Sequence, residues 1–96
     1  MIEKVKGEIE LMHRHIQVLR TVVAHQPIGI MKLSELMDLP FHRIRYSLRV
    51  LEQLGYIRAS PSGAVATPQS EVLLAGLDQE LGEMIALLES MKHQGG

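Results

Sequence analysis

The chain's densest group of side chains able to bind another molecule lies between Pro40 and Leu54, where His42, Arg43, Arg45, Tyr46 and Arg49 crowd together. Read as a helix at about 100° per residue, this segment places Ile44, Ser47, Leu48 and Leu51 on one side. His42, Arg45, Tyr46, Arg49 and Gln53 fall on the other, with Glu52 at the edge and Arg43 on the flank. The inward side is apolar and the outward side is rich in long donors. Such a face has a definite chemistry. A DNA major groove about 12 Å wide admits one helix, and arginine pairs with guanine through two hydrogen bonds. His and Tyr donate to phosphates or touch bases. A helix whose charges only keep it in solution has the same periodicity, so neighbouring elements must decide between the two.

Other chemistries find little support. The absence of cysteine excludes a disulfide scaffold and a thiolate metal site. His13 and His15 stand two apart on a helical segment and point to nearly opposite sides, so they cannot chelate one ion within a chain, which leaves only a metal shared between subunits open. His25 sits near a helix C-terminus, where a cation is mildly favoured. Met12, Met31, Met37, Met84 and Met91 have the spacing of packing residues. No glycine-rich phosphate loop, paired-carboxylate site or serine nucleophile motif occurs, and neither an enzyme nor a cofactor is expected. Phe41, Tyr46 and Tyr56 are too few to stack a single strand.

The positioning elements follow from periodicity and punctuation. From Ile2 to about His25, the residues Ile2, Val5, Ile9, Met12, Ile16, Leu19 and Val23 step by three and four, a heptad seam widened by Leu11, Val18 and Val22. Gly7 weakens its first turns by about 1 kcal/mol against Ala, and Pro27 ends it. Ile28–Met31 fits a small strand, and Lys32–Asp38 a short helix with Leu33, Leu36 and Met37 inward. Pro40 suits the first position of the next helix, which stops at Gly55. Ile57 and Ala59, then Val65 and Thr67, alternate around Pro61-Ser62-Gly63 as a hairpin. Thr67 as cap and Pro68 at the first position open a last helix running to about Met91. Leu74, Leu77, Leu81, Met84, Leu88 and Met91 form its seam, extended by Leu73, Ile85 and Leu87. Residues 93–96 are expected to fray.

Helix, turn, helix and hairpin in this order give a helix-turn-helix followed by a wing. The stretch LSELMDLPFHRIRYSLRVLEQLGYIRAS resembles the core of winged-helix regulators of the MarR, ArsR and PadR kind. The ending Leu51-Glu52-Gln53-Leu54-Gly55-Tyr56-Ile57 carries the likeness, and VATPQS is similar to their exit from the wing. The likeness covers about residues 28–69. It implies a recognition helix at Pro40–Leu54 with base or phosphate contacts from His42, Arg43, Arg45, Tyr46 and Arg49. It puts Arg58, Ser60 and Ser62 on the wing near phosphates or the minor groove, and Lys32 beside a phosphate. The wing tip here departs from many relatives in lacking Arg or Lys.

The expected fold is therefore mainly α with a β-hairpin wing: one winged helix-turn-helix domain over 1–96, with an N-terminal helix (1–26), the binding unit (28–67) and a C-terminal helix (68–93). Each terminal helix has a wider apolar face than a winged unit covers, and monomers avoid such exposed patches. A homodimer is expected, through Ile9, Met12, Ile16, Leu19, Leu74, Leu77, Leu81, Met84, Leu88 and Met91; the alternative packs the two helices only against each other within one chain. Net charge is −1, which by itself argues against a nucleic-acid partner. Its distribution is uneven: residues 28–67 carry +2, residues 1–27 carry +1, and residues 68–96 carry −4.

No apolar run reaches the roughly 18–20 residues of a membrane span, and no signal peptide is visible. The expectation is a cytoplasmic, prokaryotic-type regulator, nucleoid-associated when bound, acting on pseudo-palindromic double-stranded DNA. Any small-molecule effector is undefined by the sequence and would sit between the binding unit and the terminal helices. The rival expectation is a winged-helix module that docks another protein without touching DNA.

Overall fold

Four helices and one hairpin form in the computed structural model, which describes residues 1–92: α1 (Ile2–His25), α2 (Ile30–Met37), α3 (Phe41–Gln53), β1 (Ile57–Ser60), β2 (Gly63–Ala66) and α4 (Pro68–Met91). The expectation for residues 93–96 lies outside the described residues. The strands pair antiparallel, Ile57 opposite Ala66 and Ser60 opposite Gly63. The fold is mainly helical with a two-stranded wing.

The core lies where α1, α2, α3 and the hairpin meet. Val18, Leu19, Val22, Leu33 and Ile44 are wholly buried there, with Ile28, Leu51 and Ile57 beside them. Local chemistry explains the joints. At the end of α3, Gly55 takes a left-handed φ of 85°. Its N–H donates to the Glu52 carbonyl at 3.0 Å, and the Tyr56 N–H donates to the Leu51 carbonyl at 2.9 Å. That double bond pattern is a Schellman ending, which turns the chain into β1. Between α2 and α3, Asp38 adopts φ 52° and the Ser34 hydroxyl donates to the Leu39 carbonyl. An aspartate tolerates this conformation better than most residues.

Three local expectations change. The segment Ile28–Met31 is not a strand: only Ile28 pairs, exchanging both backbone hydrogen bonds with Ala64, and α2 begins already at Ile30. Gly63 permits this close approach. It sits at φ 129°, and a Cβ there would stand 2.5 Å from the Ile28 carbonyl carbon. Pro40 occupies the N-cap of α3, not its first helical position. Thr67 does cap α4 by position, but its hydroxyl donates to the Gly55 carbonyl at 2.6 Å and ties the wing exit to the end of α3.

Beyond this core, α1 and α4 continue as an antiparallel arm, and the molecule extends 56 × 27 × 21 Å. Val5, Ile9 and Met12 line one apolar groove with Met84, Leu88 and Met91. Of the residues expected to meet a second copy, Leu19 and Leu77 are buried within the chain itself. Leu19 packs in the core and Leu77 sits nearer the α3 end of α4, so neither is free for a partner. Met12, Ile16, Leu74 and Leu81 are half-buried, whereas Ile9, Met84, Leu88 and Met91 remain exposed. Among the described residues no helix is long and apolar enough to cross a membrane.

Candidate nucleic-acid interface

A helix that buries one side must offer the other, and α3 does so beside the hairpin. Ile44, Ser47 and Leu51 are buried, which fixes the rotation of α3 and turns Arg45 and Arg49 outward. Four residues apart, these two arginines stack on the same face. Across from them β1 contributes Arg58. Together they border an open groove of about 420 Å³, with Leu48, Glu52, Ser60 and the Ile28–Ile30 backbone region completing its walls.

Arg45, Arg49 and Arg58 are all exposed, and none makes an ion pair among the described residues. Three cations against Glu52 leave the groove positive in a chain of net charge −1. The Arg45 guanidinium lies 5.8 Å from the Phe41 ring centroid. Such a contact on an aromatic face holds the planar donor fork without using its hydrogen bonds.

The remaining predicted residues divide. His42 is exposed on the first turn of α3. Tyr46 is not on the groove face. It stands about 100° around the helix from Arg45, and α1 crosses there: the His15 ring lies 5.8 Å from the Tyr46 ring and the Arg14 guanidinium 6.0 Å from it. Arg43 likewise borders a surface recess with His13, Arg14 and Gln17 of α1. Ser60 is taken up by the wing turn, donating to the Gly63 carbonyl at 2.6 Å and accepting from the Ser62 N–H at 3.3 Å. Ser62 itself is exposed at the tip. Lys32 pairs with Glu35 at 3.8 Å, one turn along α2; both are exposed, so the pair holds it weakly.

One cluster could not be read from spacing. Ser47 is wholly buried, and its hydroxyl meets His15 Nδ1 at 2.8 Å and accepts from Arg14 Nε at 3.2 Å. Burial, and then the neighbouring Arg14 charge, hold the His15 pKa below its ordinary value. The Ser47 oxygen accepts from Arg14 and keeps its own proton available for Nδ1 of an uncharged ring. This three-residue bond set anchors α3 on α1 and sets how far the arginine face projects. The only sequence signal was a serine on an otherwise apolar side.

Among the described residues no three His, Asp or Glu side chains converge as a metal site. Comparison with known proteins gives a fold. No protein-family model matches the sequence, and no curated protein does. The structure is similar to the activation domain of the phage T4 transcription factor MotA, with a TM-score of 0.60 and 19% identity over 79% of this chain and 80% of that one. The chain shares the fold of that domain. The likeness does not single out winged-helix regulators of the MarR, ArsR and PadR kind.

Proposed function

We propose that this protein regulates transcription by binding double-stranded DNA as a homodimer, laying α3 in the major groove with the hairpin beside it. The observation that carries the reading is the convergence of Arg45, Arg49 and Arg58 on one open groove that Glu52 also lines, with none of the three in an ion pair among the described residues. Unpaired arginines on a rigid helix are arranged for planar, bidentate recognition. Arg45 and Arg49 would read bases. Arg58, His42, Lys32 and the Ser62 backbone would meet phosphates, while Tyr46 and Arg43 would act from the flank, through α1. A two-fold dimer with its two helices about 34–36 Å apart would select a pseudo-palindromic site. No catalytic step and no cofactor enter this reading, and residues 1–96 act as one domain.

A second reading is favoured by the name of the similar structure, an activation domain, and by the uncharged Pro61-Ser62 tip. In it the same groove docks an acidic segment of another protein. Gel retardation with random genomic duplexes at about 50 mM salt separates the two, because non-specific phosphate binding is strongest at low salt. Retention of the duplexes supports DNA binding. Free migration at micromolar protein removes it and leaves protein docking.

A further inference from the structure

The α1–α4 arm presents apolar side chains that the chain leaves uncovered, among them Ile9, Met84, Ile85 and Leu88. We infer that a second copy covers them in one particular way: each copy's α1 lies antiparallel along the other's α4, with Lys6 opposite Glu89 and Arg20 opposite Asp78 of the second copy.

The flanks of the two apolar stripes differ in charge. On α1, Lys6, His13 and Arg20 recur every seven residues and drift only about 40° in all. They border the stripe that holds Ile9 on its solvent side, and all three are exposed. On α4, Asp78 and Glu89 are eleven residues apart, three turns, and fall within about 20° of each other beside Ile85. The row nearest the α1 stripe is therefore cationic, with Glu3 and Glu10 further round the helix, and the row beside Ile85 on α4 is acidic. Lys6, Arg20 and Asp78 make no ion pair among the described residues, and Glu89 has only the exposed Lys92 at 4.0 Å.

Levels along the arm agree with this pairing. Val5 and Met12 share a groove with Met91 and Met84, and Leu19 shares one with Leu77. A two-fold axis along the arm keeps those levels and brings each α1 against the partner's α4. Lys6 then comes level with Glu89 of the second copy, and Arg20 with Asp78. The cations are about 21 Å apart and the carboxylates about 17 Å, at 1.5 Å per residue; the long Lys and Arg stems span the difference. Pairing α1 with α1 would instead set cations against cations, which is unfavourable.

The proposal rests on the dimeric part of the function given above and not on DNA binding, so its test uses no DNA. Sedimentation equilibrium of the full chain is run on the wild type, on Lys6→Glu/Arg20→Glu, on Asp78→Lys/Glu89→Lys, and on an equimolar mixture of the two variants. All four positions are exposed, and circular dichroism checks that both variants fold. The wild type is expected to be dimeric at micromolar concentration. Each variant alone sets like charges together at four places, and its Kd for self-association should rise tenfold or more. The mixture puts acidic flanks against basic ones everywhere and should return to within about threefold of the wild-type Kd. A monomeric wild type overturns the dimer and the pairing together. A dimeric wild type with unaffected variants, or a mixture that stays dissociated, overturns the pairing alone.

Discussion

The core around α3 and the α1–α4 arm use the same apolar stepping and end in opposite states. Val18, Leu19 and Val22 on the second half of α1 are wholly buried, whereas Val5 and Ile9 on its first half are exposed to 47% and 36%. The seam itself steps alike in both halves, although Gly7 weakens the first and Val18 and Val22 widen the second. What differs is what stands opposite: α3 and the hairpin cover the first group, and only an open groove shared with α4 faces the second. Periodicity tells which side of a helix is apolar. It does not tell what covers that side.

Stability measurements can break this contrast. Leu33→Ala empties a fully buried site in the core and should cost about 2–5 kcal/mol in urea unfolding. Gly63→Ala should cost about 1–3 kcal/mol, because φ 129° is strained for alanine and its Cβ would press on the Ile28 backbone. Ser47→Ala should cost about 1 kcal/mol, since it removes both hydrogen bonds anchoring α3 on α1. Ile85→Ser in the arm should change urea unfolding of dilute, dissociated protein by under about 0.5 kcal/mol. If Ile85→Ser matched Leu33→Ala under those conditions, the arm would be part of the core.

The smallest effect concerns pH. Burial and Arg14 hold the His15 pKa below its value in the unfolded chain. Between the two values the unfolded chain binds more protons, so stability rises with pH. The contribution of neutral His15 is complete above about pH 6.5 and fades as pH falls below that. His15→Gln should therefore lose less Tm than the wild type between about pH 7.5 and pH 5.5. An equal loss in both proteins would remove His15 from the account.

Much of the fold was legible, and the reasons are local. The bounds of α1 and α4 follow from Pro27 and from Thr67-Pro68, and the end of α3 from Gly55, because each residue acts on its own backbone. The errors arise where distant residues meet. Ile28 pairs with Ala64 through a single bridge, too short to leave an alternating pattern. Tyr46 shares the helix face count of Arg45, but α1 claims it through His15 and Arg14, more than thirty residues earlier. Thr67 has a capping side chain that bonds to Gly55 instead. Arg45, Arg49 and Arg58 were legible as cations. Their meeting in one groove depends on how the hairpin folds back on α3, which spacing does not encode.

The most direct test of the central claim is fluorescence anisotropy with a duplex recovered by selection from random DNA, comparing the wild type with Arg45→Ala/Arg49→Ala across a salt series. The double variant is expected to keep its fold and oligomeric state, to lose about ten- to a hundredfold in affinity or more, and no longer to prefer the selected duplex over a scrambled one. Equal affinity and equal preference in the two proteins would contradict the claim, for the α3 arginines would then not be reading DNA.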